Sequence, residues 1–217
     1  LTSGRPGPAI LLLSSPADEG AGVVPVAADD LGEHLDHLVV ALGPHARVVG
    51  AALATAGRAM SASALAWLTD LVVDDVYRAL DELVRSGLAV ERSLTDFDLR
   101  DLETRSAARR GVLEVRVKEF HRRLAHGPDA DVHARAHHLA MAVPLVDAVE
   151  AARSLRVSGA AHSRAGNHLE ACHAYARAEA LDAVPLTADD AWCRSRSLDL
   201  VGDRDLARSV RAAAVAS

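Results

Sequence analysis

The sequence predicts a mainly α-helical fold: a unit of three helices closed by a short strand, then an array of paired helices, with a short strand-bearing segment in front. Three observations predict it. Apolar residues recur at three- and four-residue spacing from Leu31 onward, the period of a helix that buries one face. Breakers at Gly43-Pro44, Gly57 and Gly87 stop successive runs. A glycine-led pattern then occurs twice, at Gly166 and at Gly202, the mark of a repeated structural unit.

Each element follows from local chemistry. Residues 1–35 carry two short apolar runs bounded by breakers, 9–13 and 23–26, which read as strands. Two strands are too few for a sheet, so they add to a neighbour or are the remnant of a larger α/β domain. Leu35, Leu38 and Leu42 predict a helix ending at Gly43-Pro44, and Val48 to Ala56 a second one ending at Gly57. Ser61 and Ser63 offer N-caps to a short helix through Trp67. Val72 to Ser86 has a stripe of Val73, Val76, Leu80 and Leu83 and a charged outer face, with Gly87 as its stop. Leu88 to Arg92 alternates as a strand. Three helices, a glycine stop and a strand make up a winged-helix unit whose third helix holds the recognition position.

A connector helix is expected from about Ala107 to Ala125, with Leu113, Val117, Phe120 and Leu124 inward. Arg109, Arg110, Arg116, Lys118, Arg122 and Arg123 occupy its other sides. Such a charge run is an amphipathic connector with a solvated face or a nucleic-acid or membrane helix. Apart from Phe120 on the inward stripe, no aromatic residue interleaves with the arginines as single-strand binding would require. From Asp131 onward the chain is helical and alanine-rich. Gly166 is followed by alanine at +5 and +12 (Ala171, Ala178), and Gly202 likewise (Ala207, Ala214). Small residues on one face let antiparallel helices approach closely, and stacking such pairs buries a continuous seam.

Composition narrows the function. The 217 residues are half apolar, enough for one large or two small cores. Against 24 basic side chains stand 30 acidic ones, a net charge of −6. A protein living on the phosphate backbone carries the opposite sign. The outer face of the third helix agrees, with Asp74, Asp75, Asp81 and Glu82 against Arg78 and Arg85. Apolar runs such as Ala9–Leu13 fall far short of a bilayer span. Cys172 and Cys193 are too few for a disulfide scaffold. A cytoplasmic protein without membrane contact is expected.

Candidate chemistry is sparse. His133 and His137, or His34 and His37, share helix faces, yet a metal site needs three or four ligands, and no neighbouring Cys or carboxylate cluster completes either pair. The expectation is no metal. Cys172 has His168 one turn away but adjoins the small repeat position Ala171, where burial is expected. Asp74-Asp75 and Asp189-Asp190 fall at helix starts, where carboxylates favour the dipole. No catalytic residue is assigned, and the chain is not expected to be an enzyme.

The stretch from Gly166 to Asp182, with Ala171 and Ala178 at small positions and Tyr175 at the large aromatic one, resembles the second helix of a tetratricopeptide repeat. At the equivalent of Tyr175 the second copy has Arg211. The order of Arg85–Val90, Phe120–Ala125, Ala136–Ala140, Ala148–Glu150 and the repeat resembles the signal-transduction ATPases with numerous domains, especially the large LuxR-type ATP-binding regulators. The likeness covers about residues 36 to 217. It implies a possible ATPase-domain tail in 1–35, a winged helix in 36–98, and a connector helix with tetratricopeptide-like repeats in 99–217. It also implies a regulatory role, with a protein partner or small inducer at the repeats. The phosphate-binding sequence G-x-x-x-x-G-K-[ST] is missing, and no His stands near Phe97-Asp98-Leu99. No cofactor is therefore expected in this chain; ATP or ADP would enter only with an ATPase domain upstream. A DNA-binding regulator using 72–86 and 107–125 is the alternative, and the oligomeric state stays open.

Overall fold

A computed structural model describes residues 28–181 and 186–216; the strands expected at 9–13 and 23–26 lie outside the described residues. The fold is mainly helical, with eleven helices and three short strands among the described residues. Helix α1 (Ala28–Ala41) presents Leu35 and Val39 inward, and Leu42 just beyond it is buried too. Helix α2 (Pro44–Ala56) starts at a proline, whose missing N–H costs nothing in a first turn. The N–H of Gly43 donates to Glu82 Oε1 at 2.7 Å. Alanine and glycine dominate α2 because it is packed on nearly every side; Ala46 and every residue from Val49 to Thr55 are buried.

Strand β1 (Met60–Ser61) leads directly into α3 (Ala62–Thr69), where Ser61 Oγ accepts the N–H of Ala64 as an N-cap. The expected cap and helix are both present, and the helix runs two residues further than Trp67. Helix α4 (Val73–Arg85) buries Val76, Ala79, Leu80 and Leu83. The buried stripe includes Ala79 instead of Val73, which is 41% exposed in the first turn. Leu88 N–H then bonds back to Leu83 carbonyl, closing the helix at Gly87 as expected. Strand β2 (Ala89–Glu91) turns into β3 (Asp96–Leu99), giving an antiparallel sheet in the order β1-β3-β2, with Met60 opposite Phe97 and Val90 opposite Asp98.

The connector differs from expectation. It is two helices, α5 (Leu102–Arg110) and α6 (Glu114–Ala125), broken at Gly111. A Cβ at Gly111 would lie 2.5 Å from Val39 Cγ1, so the break falls where α1 presses onto the chain. Leu113 is consequently the exposed N-cap of α6 and not part of its stripe. Both helices pack on the core of α1–α4: Ala107, Ala108, Phe120 and Leu124, with Leu99 of β3, share one hydrophobic cluster with Val49, Leu53, Leu80 and Leu83.

Five further helices follow: α7 (Val132–Ala142), α8 (Ala148–Arg164), α9 (His168–Leu181), α10 (Ala188–Val201) and α11 (Arg204–Ala216). Asp131, Asp147 and Thr187 cap α7, α8 and α10 through their side-chain oxygens. Gly166 and Gly202 turn α8 into α9 and α10 into α11 at φ of +82° and +97°, a backbone region that a Cβ disfavours. The apolar contacts here form small clusters between neighbouring helices. Ala136, Ala152, Leu155 and Ala178 join α7, α8 and α9; Ala160, Tyr175 and Cys193 join α8, α9 and α10; Ala191, Leu198, Ala207 and Val210 join α10 and α11.

Candidate functional site

The basic residues of α5 and α6 are engaged inside the molecule. Arg109 donates twice to the Ala54 carbonyl, at 2.6 and 3.2 Å, at the C-terminal end of α2. Arg116 donates to the Thr69 carbonyl at 2.6 Å, and Arg123 to the Trp67 carbonyl and to Asp70, at the end of α3. Unpaired carbonyls and the negative dipole end of a helix favour cations there. Arg110 pairs with Asp36 of α1, and Lys118 with Glu114. Arg122 and Arg123 flank Glu119 and hold its carboxyl down to about 2.

On α4, Arg78 pairs with Asp75 and Arg85 with Asp81, while Glu82 serves the start of α2. Val73, Tyr77 and Val84 stand exposed on the same helix. Its surface is therefore apolar side chains among locally paired charges. Asp74 and Asp75, and Asp189 and Asp190, lie in first helical turns, as expected.

The histidines are arranged differently from their spacing. His34 and His37 are exposed on α1. His133 and His137 do not meet: His133 stacks on His162 of α8, ring centroids 3.7 Å apart, and bonds Ser158 Oγ at 2.8 Å. His137 instead joins His138 and His121 of α6. One ring nitrogen from each of these three lies within 4.8 Å of the others. Nδ1 of His121 is 2.9 Å from Nδ1 of His138; only one of the two can carry the proton of that bond.

Position in the fold explains the cluster. His121 stands on the inward stripe of α6, between Val117 and Leu124, and is 3% exposed. The α6–α7 turn lays α7 alongside, where consecutive residues point about 100° apart, so His138 is half-buried and His137 open to solvent. Burial, then the neighbouring rings His138 and His137, push the His121 imidazole down to about 3. Burial and His137 push His138 down to about 4, and burial with Arg177 lowers His137. All three are neutral near pH 7. His138 also forms part of the wall of a mainly apolar pocket of about 350 Å³ with Met60, Trp67, Leu124 and Pro128; Arg58 and Asp129, also in its lining, pair at 2.8 Å.

Cys172 packs against the α10–α11 cluster, and burial pushes its thiol up. His168, the nearest candidate base in sequence, faces Ser197 at 3.3 Å. A thiolate–imidazole pair does not form. Among the described residues no helix is long and apolar enough to cross a membrane. Sequence reasoning missed the roles of His121 and His138; the available signal was a titratable side chain on an otherwise apolar stripe. No family model, curated protein or solved structure matches this chain.

Proposed function

We propose that the chain is a non-catalytic regulatory and protein-interaction module: a winged helix followed by tetratricopeptide-like helical pairs, of the kind that signal-transduction ATPases and large LuxR-type transcriptional regulators carry. The order α2-β1-α3-α4-β2-β3 supports the first part, because the β2–β3 hairpin stands as a wing and β1 completes its sheet. The glycine turns at 166 and 202 and the cluster-by-cluster packing of α7–α11 support the second. The observation that carries the functional reading is the engagement of charge. Arg109, Arg116 and Arg123 of the basic helices cap α2 and α3, and the recognition-position helix presents Val73, Tyr77 and Val84 beside Arg78 and Arg85, each with a carboxylate about one turn away.

On this reading α4 docks a protein neighbour in the cytoplasm, and a partner or inducer on the helical pairs biases that neighbour between two arrangements. The experiment is a duplex-DNA titration followed by anisotropy at low and moderate salt, with Arg78→Ala and Arg85→Ala alongside. Weak binding, unchanged in both variants, is expected. Sequence-specific binding lost in them would replace this reading with a DNA-binding regulator.

A further inference from the structure

We propose that His121, His137 and His138 form a three-histidine site for a transition-metal dication of the zinc class, set in the seam between α6 and α7. The three rings come from two helices of unrelated local sequence, and their nearest nitrogens already lie within 4.8 Å of one another. Ligand bonds of about 2.0–2.1 Å in a tetrahedral shell place nitrogens roughly 3.3 Å apart. The His121–His138 pair, at 2.9 Å, is near that separation. To hold an ion, this pair has to open slightly and His137 has to close on it. A metal at the centre would replace the single proton that the pair now shares.

The donor set selects the cation. The cluster offers three imidazoles and no carboxylate, which excludes the oxygen-seeking Mg²⁺ and Ca²⁺ and suits Zn²⁺, Co²⁺, Ni²⁺ or Cu²⁺. The groups around it select the remaining ligand. Arg177 of α9 approaches His137 at 3.5 Å, Arg109 of α5 acts on His121 and His137, and Arg58 acts on His138. Three neutral donors leave the metal's charge uncompensated, and Arg177 and Arg109 add to it while Arg58 is paired with Asp129, so the fourth position takes an anion from solution. His137 is open to solvent and supplies the entry path; His121, rooted in the core, fixes the site to α6. Occupancy would tie α6, part of the N-terminal core, to the first helix of the helical array.

The test uses the full chain without a histidine tag, stripped by chelator and titrated with Co²⁺ alone, then with Zn²⁺ as competitor. One Co²⁺ per chain with the intense visible bands of four-coordinate cobalt, bleached by Zn²⁺, is expected. His137→Ala, at an exposed position that leaves the core intact, lowers affinity by at least about tenfold, since even supporting residues behind a ligand cost that much. His133→Ala, one turn away on the same helix, leaves it unchanged. Only the pale spectrum of six-coordinate cobalt, or equal affinity in wild type and His137→Ala, would overturn the proposal. His121→Ala serves as a further check if it folds; His137→Ala decides the matter regardless.

Discussion

Gly159→Ala measures how closely α8 and α9 approach. A Cβ built at Gly159 would lie 2.9, 3.1 and 3.2 Å from Cε2, Cδ2 and Cζ of Tyr175. Ordinary carbon–carbon contact is about 3.5–4.0 Å, so the ring would have to retreat by roughly half an ångström. It has nowhere to go: Tyr175 is fully buried and clustered with Ala160 and Cys193. Alanine gains about 1 kcal/mol over glycine in a helix interior. Overpacking of a filled core costs about 1–3 kcal/mol, and three contacts with a rigid ring lie toward its upper end. A net loss of about 1–2 kcal/mol is expected in urea unfolding followed by circular dichroism. Tyr175→Leu should remove the penalty, so that Gly159→Ala is neutral or better in that background; neighbours in contact show such coupling, often of about 1 kcal/mol or more. A Gly159→Ala protein as stable as wild type would refute the close pairing of these helices.

Arg109→Gln removes the charge-assisted donor of two hydrogen bonds to Ala54 and should cost about 2 kcal/mol in the same unfolding assay. Arg78→Ala and Arg85→Ala, whose ion pairs are exposed, should leave Tm unchanged within error, because such pairs contribute little. The metal-free chain should lose stability in acid. His121 and His138 titrate near 3 and 4 in the fold against about 6.5 when unfolded. Above about 6.5 both states are neutral and the two histidines add no slope. Below it the unfolded chain binds more protons, so stability falls by up to about 1.4 kcal/mol per pH unit per histidine. Tm measured in chelator should begin to drop near pH 6, and His138→Gln should flatten that drop between pH 6 and 5; an unchanged profile would contradict the buried, neutral cluster.

Much of this architecture is legible because it is encoded locally. Leu35 and Leu42, the Gly43-Pro44 break, the Ser61 cap and the Gly87 stop each act within a few residues, and the structure has each in place. The turns at Gly166 and Gly202 are local in the same sense. What escaped depends on distant partners. The break between α5 and α6 falls at Gly111, where Val39, more than seventy residues earlier, presses on the chain and leaves no room for a Cβ. Strands of two and four residues, one carrying Asp96 and Asp98, exist through their pairing and not through propensity. The histidine cluster is the sharpest case. Helical spacing couples His133 with His137, whereas the neighbours of α7 give them different partners: His133 stacks on His162 of α8, and His137 meets His121 of α6.

The most direct test of the proposed interaction role is site-specific photocrosslinking from position 77, which is exposed on α4, in the cell. A benzophenone side chain replacing Tyr77 should give one discrete protein adduct that resists nuclease, and that adduct should vanish when the neighbouring Val73→Asp substitution is added. A nuclease-sensitive adduct in its place would mean that α4 meets nucleic acid, and the account would fall.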